Sequence, residues 1–507
     1  MTAGTAETQD AVANHRRSRL VAVSNRLPVV LERDEEGGWR TRPGSGGLIT
    51  AMAPALRNRG GLWIGWPGTD EDADLTEVMA QASKEAGYRL VPVNLSADEV
   101  RHFYYGFANE TLWPLFHDLP TQTLYDPVGW QAFQSANRRY AETVQARVSP
   151  DDFIWVHDYH LMGVARELRS LGAQQRLGFF LHIPFPPLDI FLKLPWRAQI
   201  LTALLDYDLI GLQTMRDRRN FLSCARSLLP GFRTHGTGSV LTADLRDRTL
   251  RVGTFPIGIE FEEFARPANS PAITARAADL RSDLGGTAVI LGVDRLDYTK
   301  GIPERLRGFR CALQRYPELR GNLTFVQLAV PSRQGVPKYR ALRAEIDRLV
   351  GQINGEFTEP GWIPIHYFYR SFDRDELLAY YRAADIALVT PLKDGMNLVA
   401  KEYCASQVDN RGVLVLSEFA GAAAQLHRWA LMVNPHDSEG LADGIFRAFV
   451  MSPKERRRRM SRLRGSIQRN DIFRWVDDFL EAALSRQLAD FPHQEDYVPP
   501  LEVDETS

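Results

Sequence analysis

Short, uninterrupted apolar runs recur along this chain with room for a helix between them, and no other feature restricts the fold as much. A run with no polar alternation belongs to a strand covered on both faces, which is the condition of a parallel sheet packed between helices. The first set is "RLVAVSNR" (19–26), "DFIWVHD" (152–158), "RLGFFLHIPFP" (176–186) and "DLIGLQT" (208–214). A second set begins after "LRVGTFPIGIE" (250–260) with "AVILGVDRLD" (288–297), and continues with "LTFVQLAVPSR" (323–333), "PIHYFY" (364–369), "DIALVT" (385–390) and "GVLVLSEFAGA" (412–422). The pattern predicts an α/β protein with two Rossmann-like halves hinged near residues 255–270.

Length and composition remove other classes. A chain of 507 residues has room for about two to four domains, each burying its own core. Cys224, Cys311 and Cys404 lie far apart without a CxxC, so neither a disulfide framework nor a cysteine zinc site is indicated, and a reduced cytoplasmic setting fits. The first seventeen residues hold no apolar signal core, and no eighteen-residue apolar stretch follows. Basic and acidic residues balance at 61 and 63, which excludes a global field for nucleic acid or membrane. The basic run "KERRRRM" (454–460) follows a helix-start Ser-Pro and reads as a solvated helix face. Residues 1–17 and the acidic, proline-bearing 491–507 read as disordered tails.

Polar residues gather late in nearly every run, at the carboxyl end where an open parallel sheet binds ligands. "SNR" ends the first strand, "HDYH" (157–160) the next, and His182, "DRLDYTKG" (294–301) and Arg333 end others. "GSGG" (44–47) offers backbone amides to an anion. Arg295 and Lys300 can face one diphosphate, the first by its planar fork and the second as a point charge. Arg26 and Arg333, one in each half, can grip a second phosphate, which suggests two anionic ligands. "TPLKDGMNLVAKEY" (390–403) carries more polar groups than helix capping needs.

The same residues admit competing readings. "RPGSGGLITAM" lacks the spacing and position of a dinucleotide fingerprint. His157, His160 and His182 suggest a metal, but the HxxH is at a strand end, so structural or substrate-facing histidines are favoured. The Asp-x-Asp pairs in "TDEDAD" (69–74) and "FDRDEL" (372–377) read as acidic first turns of helices rather than metal ligands.

Taken together, "VSNRLP", "GGLWIGWPG", "LWPLFH", "IWVHDYHLM", "GFFLHIPFP", "VDRLDYTKGIPER", "VTPLKDGMNLVAKEY" and "VLSEFAGAA" closely resemble the trehalose-6-phosphate synthases, retaining glycosyltransferases of the two-Rossmann-domain (GT-B) type. The resemblance implies an active site in the interdomain cleft. It implies domains at 18–258 and 259–490, the last helix able to cross back to the first. It implies transfer of glucose from a nucleoside diphosphate glucose to C1 of glucose 6-phosphate, with no cofactor and no metal. Partners are then these small molecules, with homo-oligomerisation left open. Related scaffolds supply two alternatives, a glucosylglycerol-phosphate synthase and a non-catalytic sensor of glucose 6-phosphate.

Carried over by position, the resemblance gives Arg26, Trp66, Tyr105, Trp113, Asp158 and Arg333 to the acceptor. Tyr104 competes with Tyr105, because the chain is one residue short after the tyrosine pair. The donor falls to Gly46, Gly47, Arg295, Lys300, Phe372, Asp394, Gly395, Met396, Asn397, Leu398, Val399 and Glu402. Arg295, Lys300, Asp158 and His182 are the catalytic set, while Lys393 and Lys401 are left as solvated charges. Retention implies same-face attack with the leaving phosphate taking the acceptor's proton; a covalent route would need Asp158 as nucleophile.

Overall fold

The computed structural model describes residues 19–33, 38–44, 47–69, 74–245, 248–333, 336–485, Phe491, Gln494 and 496–499. The amino-terminal tail expected at 1–17 lies outside the described residues, as does most of 491–507. The chain divides into two compact units, 1–255 with 473–494 and 256–472 with 495–507.

The strands form where the apolar runs are. In chain order they are β1 (Leu20–Arg26), β2 (Val29–Arg33), β3 (Trp39–Pro43), β4 (Leu62–Trp66), β5 (Arg89–Pro92), β6 (Phe153–His157), β7 (Arg176–Phe180), β8 (Leu209–Leu212), β9 (Arg233–His235), β10 (Val240–Leu245) and β11 (Arg248–Thr254). The second unit adds β12 (Ala288–Arg295), β13 (Leu323–Val330), β14 (Ile365–Tyr369), β15 (Ile386–Val389), β16 (Val413–Ser417) and β17 (Leu431–Val433).

The first unit holds a nine-stranded sheet in the order β5-β4-β1-β6-β7-β8-β11-β10-β9. It is parallel from β5 to β11, and β10 runs antiparallel to both neighbours. The second unit's six strands, all parallel, run β14-β13-β12-β15-β16-β17. Both therefore begin at a central strand, step outward to one edge, then restart on the other side of the first strand. That reversal creates a switch point, between β1 and β6 in one sheet and between β12 and β15 in the other, where connecting loops part and leave a crevice. β1, β6 and β15 are buried along nearly their whole length, which is why their sequences show no alternation.

The helix Ile472–Leu484 belongs, from Phe473 on, with the first unit. Phe479 stacks on Trp155 of β6 with ring centroids 4.0 Å apart. A side-chain carbon on Gly211 would fall 2.6 Å from the Phe479 ring, so glycine is what lets the helix approach β8. Trp475 donates its indole N–H to the Phe255 carbonyl at 3.1 Å. In the second unit Tyr497, from the tail expected to be disordered, is buried and donates its hydroxyl to Glu418 at 3.1 Å. An aromatic ring with a partnered hydroxyl outweighs the tail's polar composition at that point. Lys454, Arg457 and Arg458 of the basic run are exposed on the helix Pro453–Arg469, but Arg456 donates to the carbonyls of Ala448, Phe449 and Met451, closing the end of the helix Ser438–Val450.

Replacing Phe479 by Ala removes a stacked ring from a fully buried site, and is expected to cost the first unit about 3–5 kcal/mol. Calorimetry should show its unfolding transition lowered.

Candidate functional site

At the first switch point the chain end of β1 is pinned before it delivers Arg26. Ser24 Oγ, which accepts the Trp63 indole N–H at 2.7 Å, donates to the Arg26 carbonyl at 2.7 Å. Tyr140, fully buried, donates to the Asn25 carbonyl at 2.7 Å and accepts the Trp66 amide at 3.1 Å, tying β1 to β4. Arg26 is exposed and lies over the Trp66 ring, its guanidinium carbon 4.6 Å from the centroid. Tyr104 lies against the other predicted partner, 5.6 Å from Trp66 between centroids, while Tyr105 packs edge-on to Tyr104 and remains 46% exposed. Both tyrosines belong to a π-helix, Val100–Leu112, a wide winding uncommon outside functional sites. Trp113 is buried, 5.8 Å from Tyr159.

Asp158, one residue past β6, has φ 76° and ψ 165°, a region that side chains other than glycine enter at a cost of about 1–3 kcal/mol. Its amide donates to the Phe180 carbonyl at 2.8 Å, and its carboxylate accepts the His182 amide at 3.2 Å. His157 Nδ1 is 3.2 Å from His182 Nε2. Burial holds both imidazoles neutral, His157 well below its ordinary value and His182 down to about 3. His160 stacks on Tyr104 instead of joining that pair, and among the described residues no cluster of three or more His, Cys, Asp or Glu is placed to hold a metal ion.

At the second switch point the groups converge. Lys300 pairs with Asp394, with both side chains largely buried. Asp394 also accepts from the Met396 amide at 3.3 Å and from Asn397 Nδ2 at 3.1 Å. Asn397, at φ 62°, caps the helix Leu398–Ser406 by accepting the Ala400 amide at 3.1 Å. The amide-bearing turn Gly395–Val399 is thus the helix's amino end, which favours negative charge. The loop is clasped from behind: Asp394 donates its amide to the Phe419 carbonyl, and Gly421 donates to the Asp394 carbonyl at 2.8 Å. A side-chain carbon on Gly421 would lie 1.8 Å from the Gly395 carbonyl oxygen. Only glycine fits.

Arg295 ends β12 exposed. Glu402 accepts the Tyr381 hydroxyl at 2.8 Å, and burial raises its carboxyl above the usual range against the pull of that bond. Phe372 packs edge-on to Phe368 and Tyr380, with the Arg370 guanidinium 4.1 Å above its ring. Arg333, at φ 45°, donates to Tyr339 and lies 3.4 Å from Asp297. Burial alone would raise Asp297, but Arg333 and the Thr299 amide outweigh it and hold the carboxyl low. Among the described residues five non-glycine positions have positive φ, and Asp158, Arg333 and Asn397 are three of them. Strain of that kind concentrates where function overrides local preference.

Gly46 lies outside the described residues, and Gly47 opens the helix Gly47–Asn58. Of the alternative metal motifs, Asp373 caps its helix by accepting the Glu376 amide at 2.7 Å, and 70–73 lie outside the described residues.

Lys401 corrects an expectation. It is 1% exposed, not solvated, and donates to the Ile257 carbonyl and Gln425 Oε1. Burial lowers its pKa from 10.5 to about 7. The sequence reading also missed Arg305, which is fully buried on the helix Ile302–Arg315. It donates to Asp294 at 2.6 Å, Gln327 at 3.0 Å, Thr390 at 2.9 Å and the Lys300 carbonyl at 3.3 Å. Its position, three past Ile302 and four before Phe309, lies on the helix's apolar face, a legible sign of an arginine turned inward.

The match to known proteins extends along the chain. The family model described as glycosyltransferase family 20 matches residues 18–485. A trehalose-6-phosphate synthase of Mycolicibacterium vanbaalenii is 44% identical over 473 residues, 92% of this chain and 96% of that one. A Burkholderia xenovorans α,α-trehalose-phosphate synthase (UDP-forming), solved in complex with glucose-6-phosphate, superposes with a TM-score of 0.82 at 35% identity, covering 92% of this chain and 100% of that one. A structure from Escherichia coli bound with UDP-2-fluoro glucose gives 0.82 at 38% identity, covering 92% and 99%.

The buried Lys401 gives stability a pH dependence of definite sign. Below about pH 7 both folded and unfolded chains carry the proton, and the cost of burying an ammonium stands in full. Between about 7 and 10.5 only the unfolded chain holds it, so stability rises with pH across that window. The melting temperature of the wild type minus that of Lys401→Met should therefore increase from pH 6.5 to about 9.

Proposed function

Because the chain belongs to glycosyltransferase family 20, we propose that it transfers glucose, with retention, from a nucleoside diphosphate glucose to glucose 6-phosphate, forming α,α-trehalose 6-phosphate. The observation that carries the reading is the second switch point, where Arg295, the Lys300–Asp394 pair and the amino end of Leu398–Ser406 follow the central strands β12 and β15. A parallel sheet of this order binds nucleotides at that place.

In this reading Arg295, Lys300 and the amides of Gly395–Val399, with Gly46 and Gly47, hold the diphosphate. Asp394 and His182 take hydroxyls of the donor glucose. Glu402 takes the ribose hydroxyls and Phe372 meets the base through its backbone. Arg26 and Arg333 carry the acceptor phosphate, with Trp66 beneath Arg26. Tyr104, whose ring packs against Trp66, is better supported here than Tyr105, which packs on Tyr104 and is exposed. Asp158 orients acceptor hydroxyls and Trp113 shapes the pocket around the two sugars.

The chemistry follows from charge. Breaking the bond from C1 to phosphate leaves cationic character on the sugar and new negative charge on the diphosphate. Preplaced cations and helix amides stabilise that charge without reorganising. The leaving phosphate oxygen takes the acceptor's C1 hydroxyl proton on the face it departs from, so configuration is retained and the protein supplies no nucleophile. Asp158, its carboxylate already accepting the His182 amide, is read as an orienting group. No metal is required, because cationic side chains occupy its role.

Incubation with glucose 6-phosphate and UDP-, GDP- or ADP-glucose in chelator is expected to yield trehalose 6-phosphate and free nucleoside diphosphate. Absence of product with every donor overturns the reading. Arg295→Ala and Lys300→Ala should each lower kcat by about 10²–10³-fold, and unchanged kcat in both would refute the diphosphate role. Arg333→Ala should chiefly raise KM for glucose 6-phosphate, with slow transfer to unphosphorylated glucose left as it was.

A further inference from the structure

The buried histidine pair contains more information than a contact. His157 ends β6 with no solvent exposure, and its Nδ1 faces His182 Nε2 at 3.2 Å. Since burial keeps both rings neutral, the short approach of two nitrogens requires one N–H and one lone pair. Two arrangements satisfy it. Either His157 donates from Nδ1, or His182 donates from Nε2.

The far side of His157 separates them. Its Nε2 is buried with no hydrogen-bond partner among the described residues. In a neutral imidazole one nitrogen carries the hydrogen. Were it on Nε2, a buried N–H would be orphaned, the rarer and costlier case in folded proteins. The neighbouring indoles offer no remedy. Trp155 and Trp475 lie 4.8 and 6.4 Å away between centroids, with planes tilted only 36° and 38° from the imidazole. An N–H lies in its own ring plane and would need a nearly perpendicular neighbour to point into a π face.

We infer that His157 is a positioning residue that fixes the tautomer of His182: His157 donates from Nδ1 to His182 Nε2, and His182 carries its own hydrogen on Nδ1. Any ligand reaching His182 Nδ1 then meets a hydrogen-bond donor only. It can hold a sugar oxygen but cannot take a proton there. The consequence for the donor glucose rests on the proposed function. The tautomer itself does not.

The test separates the two. Long-range ¹H–¹⁵N correlation spectra of the unliganded, histidine-labelled protein distinguish protonated from bare ring nitrogens, with His157→Asn and His182→Asn used for assignment among 11 histidines. The expected pattern is hydrogen on Nδ1 of both rings. Hydrogen on Nε2 of either His157 or His182 overturns the inference, whatever the protein is found to transfer. Kinetically, His157→Leu is expected to lose about 10–100-fold in kcat, by analogy with the loss when the orienting partner of a metal-ligating histidine is removed. His157→Asn, which keeps a donor, should recover most of that loss. Equal loss in both variants, with the wild type shown to transfer glucose, would mean that His157 acts by packing alone.

Discussion

A fully buried arginine organises the second unit's site. Arg305 has no solvent exposure and reaches the end of β12 through Asp294, the middle of β13 through Gln327, and the end of β15 through Thr390. A lone guanidinium in such a place would be prohibitive, and a lone carboxylate at Asp294 likewise. Burial pushes the Asp294 carboxyl up while Arg305 pulls it down. Removing one member of such a pair costs about 3–5 kcal/mol because the other is stranded. The gain is geometric. The loops after two adjacent central strands are locked together, and Lys300 and Asp394, one on each loop, are thereby held in register.

The same logic recurs with neutral groups in the first unit. Tyr140 does for β1 and β4 what Arg305 does for β12 and β15, joining the carboxyl ends of neighbouring strands through one buried polar atom. Residues with unfavourable backbone are held by hydrogen bonds of their own. Asp158 donates its amide to the Phe180 carbonyl and accepts the His182 amide, Asn397 bonds to Asp394 and accepts the Ala400 amide, and Arg333 is braced by Asp297 and Tyr339. Strain at these loop residues is thus supported by satisfied hydrogen bonds around them. The residues proposed for the substrates and the buried anchors Tyr140 and Arg305 are different ones, and the anchors carry less obvious sequence signals.

Much of the fold was legible because fully buried strands cannot alternate. The runs at 19–26, 152–158, 288–297 and 385–390 became β1, β6, β12 and β15, and the polar residues trailing them mark the two switch points. Legibility failed where a polar side chain points inward. Lys401 reads as one more charge on a helix, yet it is enclosed by Ile257 and Gln425. Arg305 was passed over although its helical phase places it among Ile302, Leu306 and Phe309. Tyr104 and Tyr105 are indistinguishable by composition and separate only by their exposure and neighbours within the π-helix.

The amino-acid sequence by itself determined the two-sheet α/β architecture, the family and the strand-end positions of the candidate site residues, because hydrophobic period and motif order are local and survive without coordinates. Tertiary structure alone decided which polar groups are partnered. The pairing of Lys300 with Asp394 spans 94 positions, that of Arg305 with Thr390 spans 85, and that of His157 with His182 spans 25. Hydrogen bonds have a range of about 3 Å. Nothing short of the folded chain brings such atoms within reach, and the protonation states that depend on them are set there too.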